Sequence, residues 1–206
     1  MTANRDFTRP FAGAEQELAP PDPLHLGAKG RGVGRVQEWL ALHGIDVDID
    51  GDFGPGTERA VVRLQQSKGL LGDGVVDLST WYALTAPLKA VLAPIDGAGH
   101  TLRELVCLYA RQHVAQHPRE VGGPNDGPWV RAYMLGNGGK VWQWCAGFAC
   151  FVLAQACAAK DLPLPFAPSF GVPQVARAAK ARGRFSADGP AAPGDLFVIP
   201  SPSGSW

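Results

Sequence analysis

Apolar residues recur three and four positions apart in two stretches near the N-terminal end of the chain. They are Val33, Val36 and Leu40 in the first stretch, and Ala60, Val61 and Leu64 in the second. Gly44 and Gly69 follow these stretches where a left-handed helix cap would lie. The pattern therefore predicts helices over residues 33–43 and 57–68, and a short third helix over 79–84.

The first two predicted helices are followed by the same kind of turn. Asp50-Gly51 precedes an apolar residue after the first helix, and Asp73-Gly74 does so after the second. Asp-Gly favours a tight turn because glycine adopts positive φ at little cost. Two helix–turn units thus repeat at about 25 residues, a weak internal duplication. Their small core is expected to contain Phe53, Val61, Leu64, Trp81 and Leu84.

The chain divides into four segments. Residues 1–23 are polar and rich in proline, which predicts a flexible arm. The three-helix domain is expected over 24–86, a linker over 87–100 and a second domain over 101–206.

The second domain shows a different pattern. It opens with apolar residues at helical spacing, and residues 122–127 are expected to form a loop. The segment Cys145–Ala158 is rich in alanine and aliphatic residues, which predicts a buried helix. The apolar run 196–199, which follows Pro-Gly-Asp, predicts a buried strand.

Charge and composition exclude several classes of partner. The 206 residues include 19 lysines and arginines against 19 aspartates and glutamates, so no overall field would attract nucleic acid or an anionic membrane. No stretch approaches the roughly 20 apolar residues of a membrane-spanning helix. Residues 1–23 lack the apolar core of a secretion signal, so synthesis in the cytoplasm is expected. The four cysteines match no paired metal-ligand spacing, and no metal or cofactor is expected.

The N-terminal helices and turns contain the motifs Val36-Gln37-Glu38-Trp39-Leu40, Asp50-Gly51-Asp52-Phe53-Gly54-Pro55, Leu64-Gln65, Asp73-Gly74 and Thr80-Trp81. Together these motifs resemble the peptidoglycan-binding domain of bacterial wall hydrolases. It implies a three-helix fold with peptidoglycan as partner. The ligand-binding residues that it implies are Asp50, Gly51, Phe53 and Trp81.

Two other interpretations of this region remain open. A three-helix spacer without a ligand has the same packing pattern, since a fold alone does not define a function. Asp46, Asp48 and Asp50 also occupy the first, third and fifth positions of a calcium loop. The twelfth position, however, holds Thr57 instead of the bidentate glutamate.

Cys145 is the candidate nucleophile of the second domain. It opens the alanine-rich helix, where the helix dipole and free N–H groups favour a thiolate. The same N–H groups would stabilise the oxyanion formed when an amide carbonyl is attacked. An inert core thiol is the alternative for Cys145, and the other three cysteines are expected to be small buried residues.

Four motifs follow one another along the second domain: Glu120-Val121-Gly122-Gly123-Pro124-Asn125, Pro128-Trp129-Val130, Trp144-Cys145 and Pro193-Gly194-Asp195-Leu196-Phe197. Together they resemble the CHAP family of cysteine, histidine-dependent amidohydrolases and peptidases. It implies a papain-like α+β domain joined to the small helical bundle. It also implies Cys145 as the catalytic residue and Glu120, Asn125 and Trp144 as substrate-positioning residues, with Asp195 forming a turn.

The catalytic machinery of that family is incomplete in this sequence. A cysteine peptidase needs an imidazole to accept the thiol proton, and no histidine follows His117. A single apolar strand would also leave an unpaired edge. These two features suggest that the natural chain is longer and that the second domain is partial. His113 and His117 are four residues apart, which permits a zinc pair or a substitute base, although solvated helix histidines are the simpler interpretation.

The leading hypothesis is a peptidoglycan-binding wall hydrolase that resembles an endolysin or autolysin and cleaves an amide bond with Cys145. It would act at the bacterial wall or outside the cell. The alternative is a non-catalytic peptidoglycan-binding protein with an incomplete second domain. A zinc amidase is a third possibility, and the oligomeric state is left open.

Overall fold

The computed structural model describes residues 8–199, and this part of the chain is helical. Its eight helices are α1 (Ala12–Leu18), α2 (Arg31–Leu42), α3 (Pro55–Ser67), α4 (Leu78–Val91), α5 (Leu102–Val114), α6 (Pro128–Tyr133), α7 (Cys145–Ala158) and α8 (Val172–Ala181). The β-pairing in the described residues consists of two isolated bridges, Leu24 with Val76 and Lys29 with Asp52. No described helix is both long and apolar enough to cross a membrane.

The predicted helices of the N-terminal unit are present as α2, α3 and α4. Gly44 and Gly69 adopt positive φ just after α2 and α3, as the sequence predicted. The third helix is longer than expected, because Leu88 and Val91 continue its buried face beyond Pro87. The first residues of the predicted linker are therefore helical.

Helix α1 lies in the segment that the sequence predicted as a flexible arm. Ala14 and Glu17 are buried, and the indole Nε1 of Trp81 donates a hydrogen bond to the carbonyl oxygen of Leu18 at 2.9 Å. The prediction of a flexible arm is therefore wrong for α1, and this helix closes the core of the N-terminal unit. Residues 1–7 of the predicted arm lie outside the described residues.

The second unit contradicts the α+β prediction. Its described residues form α5–α8 without a sheet, so the papain-like α+β domain is not the observed fold. Residues 196–199 form no strand, and Phe197 and Ile199 are 81% and 75% exposed. An apolar run alone does not specify a strand, because a strand needs a partner for its backbone groups and a surface for its side chains. The prediction that α7 is buried is confirmed.

The two units share one hydrophobic core. The cluster that contains Trp39, Phe53 and Trp81 continues into Trp129, Tyr133 and Phe151 of the second unit. The rings of Trp39 and Trp129 meet edge to face, with centroids 6.0 Å apart. A second cluster lies around α5, α7 and α8.

Candidate functional site

Two buried glutamines organise the turns of the N-terminal unit. The amide Nε2 of Gln37 donates to Asp50 Oδ1 at 2.8 Å and lies 3.1 Å from Thr57 Oγ1. Its Oε1 accepts the backbone N–H of Gly51 at 2.8 Å. One side chain thus fixes both the aspartate and the glycine of the turn.

The second turn is built in the same way around Gln65. Its Nε2 donates to Asp73 Oδ1 at 2.9 Å and lies 3.1 Å from Thr80 Oγ1, while its Oε1 accepts the N–H of Gly74 at 3.0 Å. The internal duplication predicted from the sequence is therefore confirmed at the level of individual hydrogen bonds. The role of the two glutamines was missed, although Gln37 and Gln65 precede their Asp-Gly turns in both units.

The carboxylate of Asp50 is part of this hydrogen-bond network. It accepts the backbone N–H of Asp52 at 2.8 Å, and this bond, followed by the bond from Gln37, lowers the pKa of Asp50. The equivalent bonds from Val75 and Gln65 lower the pKa of Asp73. Gly51 has a φ of 73°, which the turn requires and which L side chains rarely adopt.

The four residues that the resemblance implied as ligand-binding do not share one environment. Asp50 and Gly51 lie at the surface of the first turn. Phe53 and Trp81 have no exposed area, and the sequence correctly placed them in the core. Direct contact with a polymer requires exposed surface, so these two aromatic residues stabilise the turns from the interior.

Two open grooves border helix α3. The acidic groove has a volume of about 360 Å³ and is lined by Asp46, Val47, Asp48, Asp50, Asp52, Gly54, Gly56 and Thr57. The basic groove, of about 540 Å³, is lined by His43, Gly44, Ile45, Arg63, Leu64, Gln66, Ser67 and Lys68. Within residues 8–199, including the acidic groove, no group of three acidic, histidine or cysteine side chains is arranged to hold a metal ion.

The candidate residues of the second unit meet at the start of α7. The indole Nε1 of Trp144 donates to Glu120 Oε1 at 2.8 Å, and the backbone N–H of Asn125 donates to Glu120 Oε2 at 2.9 Å. Cys145 is the next residue and its side chain is exposed. Both hydrogen bonds lower the pKa of Glu120, and the bond from the Asn125 N–H has the larger effect. The sequence motif thus identified residues that lie together.

His113 lies in the interior and not on a solvated helix face. Its Nε2–H donates to Gln155 Oε1 at 2.7 Å, and its Nδ1 accepts the hydroxyl of Tyr133 at 2.8 Å. Burial lowers the pKa of His113, so the ring is neutral at pH 7. His117 lies beyond the end of α5 with a φ of 50°, so the two histidines do not form a pair on one helix.

The fold and the paired turns define a small helical unit built from two copies of a helix–turn element. Residues 29–84, which contain both copies, match the model of the family described as "Putative peptidoglycan binding domain". This match bears out the resemblance of the N-terminal unit, and it does not extend to the second unit. Neither the curated proteins nor the solved structures include a match to this chain.

Proposed function

We propose that this protein binds bacterial peptidoglycan through the exposed turn of the acidic groove and acts at the bacterial cell wall. The observation that carries the proposal is the match of residues 29–84 to a peptidoglycan-binding family. The paired Gln–Asp–Thr turns support it, since the matched residues contain both turns.

The acidic groove has the chemistry to contact a hydroxyl-rich and amide-rich polymer. Asp46 and Asp48 are exposed and line the groove beside the fixed carboxylate of Asp50. Carboxylates accept hydrogen bonds from sugar hydroxyls and peptide N–H groups. Because Gln37 and the backbone of Asp52 already hold Asp50, ordering this part of the site costs little on binding.

Sedimentation of the full chain with purified, protein-free sacculi tests the proposal. The wild-type chain is expected in the pellet, and the variant Asp46→Asn/Asp48→Asn should bind roughly threefold to tenfold more weakly, because each lost charged acceptor weakens hydrogen bonding. Asp22→Asn, an exposed aspartate outside the groove, is the matched control. A wild-type chain that stays in the supernatant contradicts the proposal.

Cleavage of a peptidoglycan amide by Cys145 is the second candidate function. The exposed thiol at the first residue of α7, beside the Glu120–Trp144 hydrogen bond, favours it. The buried imidazole of His113, in contrast, uses both ring nitrogens for interior hydrogen bonds. Binding without cleavage is therefore the better supported proposal.

Clearing of sacculi embedded in a gel distinguishes the two candidates. The enzyme hypothesis requires that the wild-type chain clear the gel and that Cys145→Ala abolish clearing while binding is retained. Equal clearing by the wild-type chain and by Cys145→Ala, or no clearing by either, supports binding alone. Clearing that a chelator abolishes would point instead to the zinc amidase alternative.

A further inference from the structure

The binding unit is the matched segment, residues 29–84, and the basic groove differs in charge from the rest of it. Residues 29–84 contain six lysines and arginines against eight aspartates and glutamates. The basic groove nevertheless has Arg63 and Lys68 as its charged residues and no carboxylate. The unit is therefore slightly acidic overall, whereas the charges that line this groove are positive and attract an anionic group.

Neither cation of the groove has a structural partner in residues 8–199. Arg63 and Lys68 are exposed, and neither side chain forms a hydrogen bond or an ion pair within those residues. Lys29, in contrast, is paired with Asp52, and Arg35 is paired with Glu17. The charges of the basic groove are thus available to a ligand.

The helix ends at the groove do not cancel this attraction. Both α2 and α3 end there, and helix C-termini carry partial negative charge on free carbonyl groups. The carbonyl of Leu40 accepts the N–H of Ile45, and the carbonyl of Gln65 accepts the N–H of Leu70. Arg119 donates to the carbonyls of Ala41 and Leu42. These bonds occupy carbonyl groups at both helix ends and so reduce their repulsion of an anion.

His43 contributes a neutral wall. Its Nε2–H donates to the carbonyl oxygen of Leu84 at 2.9 Å, and burial lowers the pKa of the ring. The attraction for an anion at pH 7 therefore comes from Arg63 and Lys68, with the side-chain amide of Gln66 beside them as a donor. The Ser67 hydroxyl already donates to the carbonyl oxygen of Leu64 at 2.7 Å.

We propose that the basic groove binds a free carboxylate of a peptidoglycan stem peptide. This inference rests on the proposed function, since it assigns the part of the polymer that the unit contacts. The N-acetylated sugars of the glycan backbone are uncharged, whereas the stem peptides carry free carboxylates. The two grooves border consecutive residues, since Ile45 lines the basic groove and Asp46 lines the acidic groove.

Titration calorimetry of the full chain with a soluble muramyl tripeptide tests the assignment. The same fragment with its carboxylates amidated should bind the wild type roughly tenfold more weakly. The variant Arg63→Gln/Lys68→Gln should bind the free acid more weakly than the wild type by a similar factor. Its affinity for the amidated fragment should equal that of the wild type. Arg59→Gln is the matched control, because it removes an exposed charge from the same helix outside the groove. Higher ionic strength should weaken binding of the wild type and not of the double variant.

The outcomes separate this inference from the proposed function. Sacculi that bind the wild type and the double variant equally, or fragments that bind equally with free and amidated carboxylates, overturn the assignment and leave peptidoglycan binding intact. Inorganic phosphate that displaces the sacculi, with the tripeptide inactive, assigns the groove to a phosphate polymer and also overturns it. Sacculi that bind neither protein overturn both proposals.

Discussion

Single polar side chains, and not only apolar packing, determine the shape of the binding unit. Gln37 is buried and contacts both the aspartate and the glycine of its turn, while Thr57 stands at the start of the next helix. A buried amide with all its partners stabilises one geometry, and the same amide without them is costly. The residue therefore links the end of one helix to the beginning of the next.

Replacing Gln37 by leucine tests that role. The change leaves the N–H of Gly51 and the hydroxyl of Thr57 without their buried partner, and we expect the free energy of unfolding to fall by about 2–3 kcal/mol. Urea denaturation followed by circular dichroism measures the loss. The exposed Gln66→Leu substitution on α3 serves as control and should change stability by less than about 0.5 kcal/mol. A similar stability for both variants would show that the turn holds its shape without the glutamine.

At the level of elements, α1 depends on a close approach of two helices. Gly13 lies against the backbone of α6, where an added Cβ would stand 2.7 Å from the carbonyl oxygen of Ala132 and 2.8 Å from the N–H nitrogen of Gly136. Real Cβ atoms do not approach backbone this closely, so only glycine allows the contact. The neighbouring rings of Phe11 and Phe151 also meet edge to face at 5.0 Å.

Two glycine substitutions of the same kind should have opposite effects. Gly13→Ala has to push α1 away from α6, and we expect a loss of about 1–3 kcal/mol, as for other overpacked sites. Gly34→Ala, in the interior of α2, meets nothing within 4 Å and should stabilise the protein by about 0.5–1 kcal/mol through higher helix propensity. Thermal unfolding of both variants measures the difference. Equal shifts would mean that α1 is not docked on α6 in solution.

The sequence predicted local elements better than their association. The stripes of Val33 and Val61 and the glycines that follow α2 and α3 define helices through spacing alone, so these were found. The burial of α1 depends on Gly13 meeting residues more than 100 positions away, which no local pattern contains. The exposed position of Phe197 was missed for the same reason, since an apolar run indicates burial only when partners exist.

The sequence likewise predicted some features of the candidate sites and not others. Glu120, Asn125 and Trp144 were grouped from a motif, and hydrogen bonds join them. Phe53 and Trp81 were expected to bind a ligand but were also expected in the core, and the structure places them there. Aromatic residues in a motif do not reveal by themselves whether they serve the surface or the interior.

For the whole molecule, the region matched by the family is not a separate body. Arg131 of α6 forms ion pairs with Glu17 of α1 at 2.8 Å and with Glu38 of α2 at 2.5 Å, and all three side chains are largely buried. Burial alone would lower the pKa of Arg131, but its bonds to Glu38 and Glu17 raise it above the ordinary value. One cation therefore joins the N-terminal segment, the binding unit and the second unit.

The substitution Arg131→Met tests this connection. It leaves Glu38 buried without a cation and leaves Glu17 with Arg35 alone, whose Nε lies 3.6 Å from Glu17 Oε2. We expect the free energy of unfolding at pH 8 to fall by about 3–5 kcal/mol. Glu38→Gln added to Arg131→Met removes the uncompensated charge and should recover part of the loss. Denaturant unfolding at one pH gives all three values.

The pH dependence of the loss identifies its cause. Burial already raises the pKa of Glu38, and Arg131 opposes that effect, so removing Arg131 raises the pKa further. A carboxyl group whose pKa is higher in the folded than in the unfolded state stabilises the fold at low pH, and that contribution is lost as the pH rises through the folded pKa. The deficit of Arg131→Met relative to wild type should therefore be smaller at pH 5 than at pH 8. Titration of His113 and His43 occurs in both proteins and cancels in the difference. A deficit that is the same at both pH values would mean that the lost packing of the Arg131 side chain, and not its charge, is what joins the units.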